Sequence, residues 1–314
     1  MISPPKAAFI AVIGRPSVGK STLVNCICGE KVSIVSVVPQ TTRSAIRGIV
    51  NREQGQLVFI DTPGRYKSEK KSNKKLLDIS AGAIEDADLI LYVMDASRSP
   101  GAEDEETAAL IAPHAHRVVA AVNKIDLAGN SPGGAGGRCV AGENADCGAA
   151  FDFLSCSLAA VPAERRFPVS AKTGEGIEAM LSALYDLAPE GEPFYSAEYY
   201  TDQEVDFRIA EIIREQAINR LRQELPHALR VEIADAQFTE AVPSAQKSAP
   251  DGHVPEGRLW VRAFIVVERE SQKGIVVGKG GAMIKAIRLA ALKELRKIFD
   301  WKIELDLRVK TGNI

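Results

Sequence analysis

With 314 residues the chain is long enough for two domains of ordinary size, each with its own core. Hydrophobic residues make up 46% and charged residues 25%, and the formal net charge of −2 excludes a chain-wide field for polyanions, so any nucleic-acid surface must be local. No apolar run approaches the roughly 20 residues of a membrane-spanning helix, Met1–Lys6 has no signal-peptide hydrophobic region, and Cys26, Cys28, Cys139, Cys147 and Cys156 form neither a CxxC pair nor a Cys/His cluster, so the chain reads as intracellular with reduced thiols.

From Phe9 to Leu187 short apolar runs alternate with helical stretches, the pattern of an α/β fold with a mostly parallel sheet covered by crossover helices. The first run, Phe9–Ile13, leads into Gly14-Arg15-Pro16-Ser17-Val18-Gly19-Lys20-Ser21 and then the helix-compatible Thr22-Leu23-Val24-Asn25. This is GxxxxGK[ST] in a strand–loop–helix setting. Its glycines let backbone N–H groups face phosphate oxygens, Lys20 neutralises the terminal phosphates, and Ser21 offers a hydroxyl to Mg2+. Pro39-Gln40-Thr41-Thr42-Arg43 follows, a polar segment able to bring a threonine hydroxyl to the metal only while a third phosphate is present.

The run Leu57–Ile60 ends in Asp61-Thr62-Pro63-Gly64, where a carboxylate reaches Mg2+ and the Gly64 N–H meets the γ-phosphate. After Leu89–Met94 comes Val118–Val122, followed by Asn123-Lys124-Ile125-Asp126. The two oxygens of Asp126 match the two donors on guanine N1 and N2, which adenine does not offer. Lys124 can lie along the base plane, and Asn123 can tie this loop to the phosphate loop. Ala128–Gly148 is rich in Gly, Ala, Asn and Ser and reads as a flexible surface insertion. Phe167–Val169 then precedes Ser170-Ala171-Lys172, whose backbone N–H groups can donate to guanine O6. Each motif directly follows a strand, where functional loops of such a sheet lie.

Composition turns to linker at Ala188–Pro193, so the division is expected at 7–188 for a nucleotide domain, 189–200 for a linker and 201–310 for a second domain. The second domain reads as helix Ile209–Arg222, strand Val231–Ala236, strand Leu259–Glu268, a strand-like run into a Gly-rich turn, helix Ala282–Phe299 and strand Lys302–Val309, with Thr239–Gly257 as a long polar hairpin loop. Gly278-Lys279-Gly280-Gly281 fits the GxxG loop of an α+β KH module, which clamps single-stranded backbone. In the following helix Ile284, Ile287, Ala291, Leu295 and Ile298 fall on one face, leaving Lys285, Arg288, Lys293, Arg296 and Lys297 to solvent. Residues 269–314 hold 11 Lys/Arg against 5 Asp/Glu, the local basicity that backbone binding needs.

The ordered set GRPSVGKS, QTTR, DTPG, NKID and SAK, followed by Val267–Gly274 and GKGG, resembles the Era family of small GTPases over nearly the whole chain. The resemblance implies a P-loop GTPase domain followed by a type II KH domain, GTP/GDP and Mg2+ as ligands, and Ser21, Thr42 and Asp61 around the metal. It also implies Lys20, Thr42 and Gly64 at the transferred phosphate, and Gly278–Gly281 with Lys285 and Arg288 on RNA. The partner so implied is single-stranded RNA near the 3′ end of small-subunit ribosomal RNA, during small-subunit assembly. A monomer in the bacterial cytoplasm is the corresponding expectation. Peripheral membrane association is a family trait for which the sequence shows no amphipathic, cation-rich anchor. Arg65 stands where Ras-like enzymes carry a water-orienting glutamine; it reads either as an exposed loop arginine or as a charge that stabilises the transition state. The alternative function is a GTP-dependent RNA-binding module with negligible hydrolysis.

Overall fold

The computed structural model describes residues 4–36, 45–64, 71–128, 148–221, 229–240 and 257–312, with the backbone alone at 71–78 and 128. Thr42 and its QTTR segment, Arg65 and most of both expected insertions lie outside these residues. The described chain divides into two compact units, one holding residues 4–35 and 45–202, the other 203–312 together with Ser36.

In chain order the first unit runs β1 (Lys6–Ile13), α1 (Lys20–Cys28), β2 (Ile46–Arg52), β3 (Gly55–Asp61), α2 (Lys71–Asp86), β4 (Leu89–Asp95), α3 (Ala102–Ile111), β5 (Val118–Asn123), α4 (Ile125–Ala128), α5 (Gly148–Ser157), β6 (Arg166–Pro168) and α6 (Ile177–Leu187). Its six-stranded sheet has the order β2-β3-β1-β4-β5-β6, parallel except for β2 against β3. The central strands β4 and β5 are buried at every position, which is why they read as unbroken apolar runs. Alternate residues of β1 feed two cores: Ala8, Ile10 and Val12 pack with Leu23, Val24 and Leu184, while Ala11 and Ile13 pack with Ile84, Ile111 and Leu154. The order reverses around β1, so the loop after it opens at the topological switch point, with the ends of β3, β4 and β5 beside it.

Sequence patterning did not reveal β2, whose short Ile46–Arg52 run is interrupted by Gly48 and supplies an antiparallel edge. The stretch after α6 is fastened to this hairpin: Gln56 Oε1 accepts the N–H groups of Phe194 and Tyr195 at 2.8 and 3.0 Å, and its Nε2 donates to Tyr195 O at 2.8 Å. Cys26, Cys28 and Cys156 are free thiols, and burial, aided by Glu30, pushes Cys28 up to about 12.

The second unit runs α7 (Val205–Arg220), β7 (Leu229–Glu240), β8 (Gly257–Val267), α8 (Glu270–Val277), α9 (Ala282–Ile298) and β9 (Lys302–Thr311). Its sheet has the order β7-β8-β9, with β7 antiparallel and β9 parallel to β8, so α8 and α9 form the crossover that parallel strands require. One expectation needs correction. The β-branched Ile275-Val276-Val277 suggested a strand-like run, but Glu270–Val277 is helical. Both edges of β8 are already taken, and Gln272 Oε1 accepts the Arg269 N–H at 2.9 Å to close the first turn. Tertiary packing through Val276 overrides the local preference.

Candidate functional site

The phosphate loop is built around a compact left-handed turn and a buried lysine. Gly19, at φ 98°, adopts a conformation costly for other residues, and a Cβ there would lie 2.5 Å from Asn123 Nδ2. Lys20 Nζ donates to Gly14 O at 2.9 Å and Arg15 O at 3.0 Å, carbonyls that hold the ammonium at the loop mouth. Burial lowers the Lys20 pKa to about 8, with Asp61 acting in the opposite sense. The Arg15 guanidinium turns to Asp104 of α3, 2.9 Å away and 1% exposed, so this side chain braces the loop.

Ser21 at the start of α1 and Asp61 at the end of β3 meet directly, Ser21 Oγ donating to Asp61 Oδ2 at 2.7 Å. Asp61 Oδ1 is buried and has no hydrogen-bond partner among the described residues. Burial raises the Asp61 pKa, opposed by Ser21, Lys20 and Ser33. A hydroxyl beside a carboxylate with one unmet oxygen fits Mg2+, a hard cation that prefers oxygen donors. Thr62 Oγ1 donates to Val12 O at 2.7 Å, and Pro63 O accepts from Ser80 Oγ at 3.1 Å, anchoring the turn after Asp61. Gly64 then passes so close to the phosphate loop that a Cβ would lie 2.6 Å from Pro16 Cα.

The base-reading residues form one network with that loop. Asn123 Nδ2 donates to Val18 O at 2.8 Å, and its Oδ1 accepts the Ala171 N–H at 2.9 Å. Asn123 thus ties the ends of β5 and β6 to the phosphate loop. Lys124, at φ 68°, donates through Nζ to Ser17 O at 2.6 Å and to Asp95 Oδ2 at 2.7 Å, leaving its aliphatic stem to lie along a base. Asp126 Oδ1 accepts from Ser170 Oγ at 2.8 Å, while Lys172 Nζ is 3.9 Å from Oδ2. Because Ala171 already donates to Asn123, the SAK segment brings fewer free N–H groups to a base than its spacing suggests.

In the second unit Gly278–Gly281 joins α8 to α9 and closes with Gly281 N–H donating to Gly278 O at 3.1 Å. Ile287, Ala291 and Leu295 are buried, whereas Lys285, Arg288, Lys293, Arg296 and Lys297 are exposed, as the helical spacing implies. Arg288 Nε donates to Leu305 O at 2.6 Å across a cleft of about 480 Å3, lined also by Leu292, Arg296, Lys302 and Trp260.

Several residues that the structure brings to these sites carried no sequence signal. Asp104 sits in the first turn of α3 beside Glu103 and Glu105 and looks like one more acid favouring a helix N-terminus. Trp260 lies on β8, far from GKGG in sequence, and reaches the cleft because β8 pairs with β9. Asp95 was legible in part, since it ends an apolar strand on the functional edge.

Models of two known families match separate parts of the chain. The family model described as 50S ribosome-binding GTPase matches residues 9–124, and the KH domain model matches 224–313. The chain is 48% identical over 306 residues to GTPase Era of Treponema denticola, covering 98% of this chain and 94% of that protein. It is 44% identical over 314 residues to GTPase Era of Treponema pallidum, covering 98% and 92%. A crystal structure of Era in complex with MgGDPNP and nucleotides 1506–1542 of 16S ribosomal RNA matches with a TM-score of 0.82 and 30% identity, covering 98% of this chain and 94% of that one.

Proposed function

Because the chain belongs to the Era family of GTPases, we propose that its nucleotide unit times the engagement of its KH unit with RNA during small-subunit assembly. The protein is a GTPase: it binds GTP and GDP with Mg2+ and hydrolyses GTP to GDP and phosphate. The alternative of negligible hydrolysis gives way to that membership. The observation that carries the nucleotide reading is the Asn123 amide, bonded on one side to the phosphate loop and on the other to the SAK segment. One side chain therefore sets the distance between phosphate and base recognition.

On this reading Gly14–Thr22 cradles the phosphates, and Lys20 leaves its two loop carbonyls to neutralise charge on the β- and γ-phosphates. Ser21 and Asp61, with Thr42, hold Mg2+, which supplies charge neutralisation at the bridging phosphate oxygens. Thr62 and Pro63 fix the turn that presents the Gly64 N–H to the γ-phosphate. Asp126, oriented by Ser170, accepts the guanine donors while the Lys124 stem covers the ring. Single-turnover hydrolysis of Arg65→Ala assigns Arg65: a slowed chemical step makes it a transition-state charge, and an unchanged rate leaves an exposed loop arginine.

The KH unit holds single-stranded RNA near the 3′ end of small-subunit ribosomal RNA. This reading is supported by the 16S nucleotides in the Era complex and by the basic GKGG–α9 surface beside the cleft. Gly278–Gly281, Lys285 and Arg288 take the backbone, and Trp260 offers a stacking face to a base. We take 7–188 as the GTPase domain, 189–200 as the linker and 201–310 as the RNA domain. The working form is a cytoplasmic monomer. No helix among the described residues is long and apolar enough to cross a membrane, so peripheral attachment to the inner face is the form membrane association would take. Crosslinking and sequencing of RNA held by GTP-locked protein tests the reading. Enrichment of the small-subunit 3′ region is expected; enrichment of messenger or transfer RNA overturns it.

A further inference from the structure

Beyond the residues of the GTPase motifs, one buried side chain beside Asp61 carries a hydroxyl with no hydrogen-bond partner among the described residues. Asn25 of α1 clamps the backbone that follows the helix. Its Oδ1 accepts the N–H groups of Val32 and Ser33 at 2.9 and 2.8 Å, and its Nδ2 donates to Ser33 O at 2.7 Å. This takes both backbone polar atoms of Ser33 and leaves only the hydroxyl. That hydroxyl is enclosed, with the residue 1% exposed, and its Oγ meets no hydrogen-bond partner among the described residues. Asp61 Oδ1 is in the same condition, while Asp61 Oδ2 is occupied by Ser21. The Ser33 hydroxyl lies close enough to the Asp61 carboxylate to help hold it ionised, yet no hydrogen bond closes between them.

Buried polar atoms without partners are rare and call for a ligand or a water. Mg2+ retains several waters when it binds protein. A metal-bound water directs its lone pair at the metal and has two hydrogens to donate, so it needs two acceptors on the protein side. We infer that Ser33 belongs to the outer shell of the Mg2+ site, its Oγ and Asp61 Oδ1 accepting the two hydrogens of one metal-bound water. The inference rests on the reading that Ser21 and Asp61 hold Mg2+. Its functional content is distinct from that of Thr42, which serves the metal only with a third phosphate present. Ser33 is fixed by α1 through Asn25, so it holds the metal in the GDP form as well.

The test uses full-length protein, fluorescent GDP and a Mg2+ titration. Ser33→Ala is expected to raise the Mg2+ concentration that half-maximally slows GDP release by about 10-fold, the scale of outer-shell changes at metal sites. In EDTA the same variant is expected to bind GDP as the wild type does and to unfold at the same or a higher temperature, because it loses a buried hydroxyl that closes no hydrogen bond among the described residues. An unmoved Mg2+ midpoint in Ser33→Ala alongside a shifted midpoint in Asp61→Asn overturns the role of Ser33 and leaves the metal reading standing. Unmoved midpoints in both variants overturn the metal reading itself, and the inference with it. A loss of thermal stability or GDP affinity in EDTA makes Ser33 a packing residue and also overturns the inference.

Discussion

In the nucleotide unit almost every side chain proposed for function already has a partner before any ligand arrives. Lys20 rests on Gly14 and Arg15, Asn123 on Val18 and Ala171, Lys124 on Ser17 and Asp95, and Asp126 on Ser170. The RNA unit is arranged the other way. Lys279, Lys285, Lys293 and Arg296 make no ion pair or side-chain hydrogen bond among the described residues, whereas Arg288 is tied to Leu305 O and Lys297 to Glu294. The difference follows from what each unit must read. A purine edge is recognised by donors and acceptors at fixed positions, which demands a preorganised, partly buried frame. A phosphate backbone is held by charge that must be able to follow it. Preorganised sites therefore fail sharply when one member is removed, whereas open basic surfaces lose affinity in small, similar steps.

The largest expected effect is Asp126→Asn. It replaces an acceptor oxygen by a donor against a base edge that itself donates, losing two charge-assisted hydrogen bonds worth about 4 kcal/mol together. That corresponds to a fall in GTP affinity of about 1,000-fold, measured by fluorescent-nucleotide titration. Xanthosine triphosphate, with an acceptor at C2, is expected to bind the variant better than GTP does. A loss of less than tenfold would break the comparison at its centre.

Next in size is Asp104→Ala, which leaves Arg15 without its carboxylate in a largely enclosed place. Removing one member of a buried pair costs about 3 kcal/mol. Denaturant unfolding followed through bound fluorescent GDP should report that loss, while RNA affinity at saturating nucleotide stays unchanged. The third effect is a coupling. In a double-mutant cycle on GDP binding, Asp95→Ala and Lys124→Ala should interact by about 1–2 kcal/mol, because each removes the same 2.7 Å contact.

How much of this was legible in the chain follows from the same contrast. The phosphate loop, DTPG and NKID could be placed because each follows a strand that is largely apolar and buried, which advertises its own limits, while SAK follows the short, half-buried β6. The spacing of Ile287, Ala291 and Leu295 likewise set the packed face of α9. What stayed hidden was whatever depends on distant pairing. Arg15 reads only as a member of the phosphate loop, and its pairing with Asp104 of α3 left no mark in the sequence. Gln56 lies just before the run read as a strand, and its bonds to the backbone at 194–195 left no mark in the sequence. Ile275-Val276-Val277 has strand composition, and only the filled edges of β8 explain why it coils into α8. Trp260 could be recognised as a base-stacking candidate only once β8 and β9 were known to be parallel neighbours.

The smallest effects belong to the RNA unit, and their size is itself the prediction. Lys279→Ala and Lys285→Ala each remove an exposed cation with no structural partner among the described residues, so folding should be unaffected. Each should weaken binding of a single-stranded 16S 3′ oligonucleotide by roughly 0.5–1 kcal/mol. If each contacts one phosphate, the slope of log affinity against log salt falls by about 0.7 per variant, the value for single strands. The double variant should equal the sum of the singles within about 0.5 kcal/mol, in contrast to the coupled Asp95–Lys124 pair. Strong non-additivity, or a loss independent of salt, would mean that the GKGG loop and α9 form a built pocket, and the two units would then recognise their ligands by the same physical strategy.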